Sequence, residues 1–195
     1  MFLLARPSDE QIDNIIAGQR AAALTYAFEG GTRVGARPAG YNVDHNRVRL
    51  GDGPDTFARA AESMRRWRQF DFGWMQLCWP TAPIAAGQVV IVLAALPGLY
   101  SVNACRIVYT VDEDDGRVRR FGFAYGTLPA HVARGEERFL VEWNRGDDSV
   151  WYSILALSRP KSPPAWAGYP VSRLMQRRFA RASKRAMVAA VQATP

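Results

Sequence analysis

The side chains of this chain best equipped for chemistry lie between Phe121 and Trp143: Tyr125, His131, the adjacent carboxylates Glu136 and Glu137, and Arg138. A carboxylate shielded from water has its pKa raised, and beside a phenol or an imidazole it can act as a general acid or base. Which of these groups share a face follows from alternation, because successive strand residues point to opposite sides. In the run ending at Leu128, Phe121, Phe123, Tyr125 and Thr127 share one face, and Gly122, Ala124 and Gly126 share the other. In the next run Glu137, Phe139, Val141 and Trp143 lie together, opposite Glu136, Arg138, Leu140 and Glu142. The mainly apolar faces point inward. This places Tyr125 and Glu137 at the rim of an enclosed space and turns Glu136 and Arg138 outward. The all-small face invites close approach by a helix, a strand or a ligand. The structural alternative is an ion pair of Glu137 with Arg106 or Arg138, since such networks perturb carboxylates as active sites do. His131 falls in a polar turn, where a solvent-exposed side chain is the plain expectation.

The elements that position these groups can be read from punctuation and period. Ser8, three residues before Gln11, has capping-box spacing, and Ile12, Ile15, Ile16, Ala22 and Ala23 predict a helix over about 9–23. A short strand spans 46–50. Pro54 opens a second helix to about Phe70, with Phe57, Ala60, Ala61, Met64 and Trp67 as its apolar stripe. Strand runs follow at 74–79, 87–96, 104–111, 119–128, 137–143 and 150–158, separated by polar turns. Ser162-Pro163-Pro164 breaks the chain before a last helix over 172–191, expected to bury Leu174, Met175, Phe179, Ala182 and Ala186. Consecutive strands joined by short turns give an antiparallel sheet, whose concave face is the surface open to that helix. The expected fold is therefore α+β: a curved antiparallel sheet of six to seven strands gripping a long C-terminal helix, in one domain over 1–195. Residues 1–40 form a helical extension and 41–195 the core.

Composition excludes several classes. At 195 residues the chain buries roughly 70% of its unfolded surface, so it needs neither metal nor disulfide for a core. Cys78 and Cys105 sit in apolar strand sequence as small hydrophobes, and with no signal peptide the expected compartment is the reducing cytoplasm. No run reaches the length of a membrane span. A metal site is not expected without a Cys/His cluster or a helical His-Glu-x-x-His, and no Gly-x-Ser-x-Gly elbow is present. Gly51-x-Gly53 lacks the third glycine of a dinucleotide fingerprint, since Thr56 stands there, so no cofactor is expected. The net charge is +7, and Arg173, Arg177, Arg178, Arg181, Lys184 and Arg185 lie in the last helix without an acid among them. With no recognition motif, specific nucleic-acid binding is not expected. A solvated face comes first, and a weak contact with an anionic surface second.

Several segments carry a family resemblance: Leu24-Thr25-Tyr26, Leu50-Gly51-Asp52-Gly53, Gly73-Trp74, Arg120-Phe121-Gly122-Phe123-Ala124-Tyr125-Gly126-Thr127-Leu128-Pro129, Gly135-Glu136-Glu137-Arg138-Phe139 and Ser158-Arg159-Pro160. Together they make the chain similar to uncharacterised protein family 0548. It departs from that pattern at Ala130, where glycine is expected, and at Val132-Ala133-Arg134, where proline and glutamate are expected. The resemblance implies a fold and no reaction. The element order also resembles the helix-grip superfamily of START-like lipid binders and aromatic polyketide cyclases, in which sheet and helix enclose an apolar cavity. By that analogy the function expected is binding of a hydrophobic or amphipathic small molecule. Trp79, Tyr109, Tyr125 and Trp143 would give apolar contact, and Arg106, Glu137 and His131 would fix polar ends. Two alternatives stand beside it. One is an enzyme on this scaffold, a cyclase or lyase using Tyr125 and Glu137, with His131 nearby, in proton transfer. The other is an interaction module that meets an acidic partner through the basic helix.

Overall fold

The computed structural model describes residues 1–160 and 169–193. Along the chain run β1 (Phe2–Leu3), α1 (Asp9–Gln19), β2 (Asn42–Asp52), α2 (Gly53–Arg65), a single 3₁₀ turn (Arg68–Phe70), β3 (Met75–Leu77), β4 (Val89–Leu96), β5 (Leu99–Asp114), β6 (Val118–Thr127), β7 (Ala133–Asn144), β8 (Ser149–Pro160) and α3 (Tyr169–Gln192). Ser8 and Gln11 cap α1 reciprocally: Ser8 Oγ accepts from Gln11 N at 3.2 Å, and Gln11 Oε1 accepts from Ser8 N at 2.9 Å. The Ser162-Pro163-Pro164 break lies outside the described residues.

All pairings are antiparallel, in the order β2-β8-β7-β6-β5-β4-β3, with β1 added on β5. The six-to-seven-strand expectation matches the seven of this path. The two-residue β1 carries too short a pattern to be read from sequence. From β4 onward the strands meander, and β2 closes the far edge beside β8 while α2 carries the chain back across the sheet. The inner face holds the main core, where α2, the 3₁₀ turn and α3 cover Val90, Ile107, Phe123, Tyr125, Phe139, Val141, Tyr152 and Ile154. On the outer face, α1 places Ile12 and Ile16 against Val89, Ile91, Leu93, Val102 and Ala104.

The three helices differ from their expected form. α1 ends at Gln19 rather than near Ala23. α2 ends at Arg65 rather than near Phe70, because Trp67 takes a left-handed conformation (φ 56°) that a helix cannot continue through. Its side chain holds it there: the ring is buried, Nε1 donates to the Ala82 carbonyl at 2.8 Å, and it meets Phe123 edge-on at 4.9 Å. α3 buries Phe179, Ala180, Ser183, Met187 and Val191, with the Ser183 hydroxyl 2.8 Å from Tyr152 Oη. Leu174, expected in the core, is 58% exposed. The sheet meets α3 along the stripe 180-183-187-191, and Leu174 projects beyond it.

Candidate functional site

Between the first half of α3, the start of β2, the end of β8 and the β6–β7 turn lies a cavity of about 890 Å³. Its wall is built by alternation. Val48 packs into the inner core, so the residues two, four and six positions earlier, Asn46, Asp44 and Asn42, line the same face toward the cavity. Phe179 and Tyr125 close its floor and belong to a ring cluster with Phe70 and Phe139. Phe70 lies 5.6 Å from Phe179, and Tyr125 lies 5.3 Å from Phe139.

Tyr125 and Glu137 stand directly opposite each other on β6 and β7. Both therefore face inward, and the Tyr125 hydroxyl donates to Glu137 Oε2 at 2.7 Å. Burial pushes the Glu137 carboxyl up to about 7, nearby Asp44 adds to the rise, and the bond from Tyr125 opposes it. Burial, with the charge of Glu137 next, holds the Tyr125 hydroxyl well above its ordinary value. Cys105, fully buried beside this pair, is also raised, first by burial and then by Glu137. Asp44 is held in turn by both terminal nitrogens of Arg173, one of them at 2.6 Å, and Arg173 also donates to Gln176 Oε1 at 2.8 Å. The result is a neutral-range carboxyl and a phenol in an apolar wall, with a fixed ion pair nearby.

The ion pair weighed for Glu137 is absent among the described residues. Arg106 donates to the carbonyls of Gln19, Arg20 and Ala22 at the end of α1, and Arg138 donates to the Thr32 carbonyl. Of the expected site residues, Tyr125, Glu137 and His131 line the cavity, whereas Trp79, Arg106, Tyr109 and Trp143 do not. Trp79 packs under α1 on the outer face. A bulge between Ile107 and Tyr109 moves Tyr109 to the outer face, beside Ala124 and Leu140, where its hydroxyl lies 2.6 Å from Thr32 Oγ1. Arg106, opposite Gly126, leaves by that face as well. Trp143 faces inward six residues along β7, roughly 20 Å from Glu137 at strand rise, and donates to Asp148 Oδ1. His131 is half-buried rather than free in solvent, and its Nδ1 accepts from Ala133 N at 2.9 Å.

Glu136 does leave by the outer face, but it is 2% exposed. Residues 24–33 lie over it, and it accepts from Tyr26 Oη, Gly30 N and Thr32 N at 2.8 Å each and from Thr32 Oγ1 at 2.5 Å. Gly126 permits the approach, since a methyl group there would overlap the Tyr26 hydroxyl. Sequence reading passed over Asp44, Arg173 and Gln176. The alternation of β2, carried back past Asn46 from Val48, is the signal that leads to Asp44.

Residues 25–186 match the domain of unknown function DUF1990. A UPF0548 protein of Dictyostelium discoideum is 33% identical, over 98% of this chain and 96% of its own length. One from Deinococcus radiodurans is 35% identical, over 97% and 98%. Among solved structures, a hypothetical protein of Helicobacter pylori superimposes with a TM-score of 0.52 at 13% identity, covering 77% of this chain and 88% of its own, a likeness of fold alone. The helix-grip architecture stands on the sheet order and the long helix seated on its inner face, and family membership on sequence. The chain belongs to the UPF0548 family, and its residues 25–186 form a DUF1990 domain.

Proposed function

We propose that this protein binds a hydrophobic or amphipathic small molecule in the cavity between the sheet and α3. The observation that carries this reading is the cavity itself, about 890 Å³, its surface mostly apolar and walled by Val92, Met75, Ile154, Met175 and Phe179. Small-molecule sites have this volume, roughly 300–1,000 Å³, and this balance. Native mass spectrometry of protein purified from cells tests it: a retained small molecule is expected, and Ala156→Trp, which fills the wall opposite Glu137, abolishes retention. A folded protein that never carries a molecule, or a variant that retains it equally, contradicts the reading.

A second reading, proton transfer on the bound molecule, draws support from one observation. Among the described residues Glu137 has no arginine partner, and burial pushes its carboxyl up to about 7, where a general base is most effective. A ketone bound in the cavity would then exchange its α-hydrogen in deuterated water, and Glu137→Gln would stop the exchange. Binding without exchange leaves the cavity a carrier only.

A further inference from the structure

One row of the sheet carries two carboxylates across the cavity wall with a gap between them. By register Tyr125 on β6 stands opposite Glu137 on β7, Glu137 opposite Ala156 on β8, and Ala156 opposite Asp44 on β2. Partners across an antiparallel pair share a face, so all four side chains point into the cavity they line. Glu137 and Asp44 stand two strand spacings apart, roughly 10 Å between backbones, and the Ala156 methyl leaves the space between them open. Asp44 has its cation, Arg173, which donates to both carboxylate oxygens. Glu137 has the Tyr125 hydroxyl on Oε2 and no cation among the described residues. The other positive groups of the lining are turned elsewhere or engaged. Arg134 and Arg159 leave by the outer face, Arg177 is exposed to solvent, and the Met1 ammonium donates to the carbonyls of Val102 and Ala130. A carboxylate in an apolar wall is costly unless a cation answers it. One that the chain itself leaves unanswered, facing a cavity, is a place for a cation that the ligand brings.

We propose that Glu137 is the counter-ion of a bound organic cation, and that the molecule held in the cavity is an amphipathic amine. Its ammonium sits over Ala156 and donates to Glu137 on the side facing Asp44, while its apolar part lies against Ile154, Met75 and Phe179. This rests on the cavity being a binding site and names the class of molecule it takes. It gives Glu137 a binding role in place of proton transfer.

Isothermal titration of the full chain at pH 8 with decylamine, decanol, decanoate and methylamine separates the possibilities. Decylamine, bound as its ammonium, is expected to bind at least about tenfold more tightly than decanol, the yield of one charge-assisted hydrogen bond, and decanoate more weakly than decanol. Glu137→Gln should erase the preference for decylamine over decanol. Glu113→Gln, which removes an exposed carboxylate outside the lining, should leave it intact. Decylamine bound no more tightly than decanol by the unsubstituted protein, or a preference that survives Glu137→Gln, overturns the counter-ion and spares the cavity reading. No binding by any decyl compound overturns both. Methylamine bound as tightly as decylamine marks a small-cation site and overturns the amphiphile. The unsubstituted protein decides among these even if a variant fails to fold.

Discussion

At Glu137 two effects oppose one another. Burial favours the neutral carboxyl and the Tyr125 hydroxyl favours the carboxylate, and burial wins, leaving the group near 7 against an ordinary 4.5. Between those values the folded protein holds a proton that the unfolded chain has released, so stability falls as pH rises through that window. The loss is at most about 3 kcal/mol, complete above pH 7 and absent below 4.5. Glu137→Gln should therefore stabilise the protein at pH 8 and change little at pH 4.5, as urea denaturation at the two pH values will show. Equal effects at both would mean that the carboxyl is charged throughout. Glu136 has the opposite character, because it satisfies two backbone amides and two hydroxyls in a buried place. Glu136→Ala orphans those donors and should cost at least about 3 kcal/mol by the same measurement. Alternation alone separates the two neighbours, inward and outward. The burial of Glu136 was not legible, because no local pattern announces that residues 24–33 fold back over that face.

At the scale of elements, the phase of α3 and the fit of the outer face carry the tests. Met187 is fully buried and Leu174 is exposed. Met187→Ala should cost about 2–5 kcal/mol, and Leu174→Ala should stay within about 0.5 kcal/mol of the parent. Comparable losses would place the helix in the phase expected from sequence rather than the one observed. Gly126→Ala should displace the segment carrying Tyr26, at a cost of about 1–3 kcal/mol, and limited proteolysis should then cut within residues 20–41. The order of elements was legible because helix periodicity and strand alternation dominate locally. Two irregularities were not: the bulge at Ile107–Tyr109 and the left-handed turn at Trp67. Each depends on packing against distant residues. The bulge moves Tyr109 to the wrong side for a cavity role, and that error follows from counting a sixteen-residue strand as regular.

The whole molecule is a sheet covered on both faces to different ends. The N-terminal segment seals the outer face through α1, Arg106 and the donors to Glu136. On the inner face α2 and α3 close tightly over Trp67, Phe139 and Tyr152, then part over Tyr125 and Glu137 toward the start of α3. No described helix is long and apolar enough to cross a membrane. The open end of the inner face is where the proposed ligand would sit. Fluorescence titration with the uncharged probe N-phenyl-1-naphthylamine is the direct test of binding in this cavity. Saturable one-to-one binding is expected, and it should be lost in a folded Ala156→Trp variant. Non-saturable binding, or binding that survives the substitution unchanged, would contradict it.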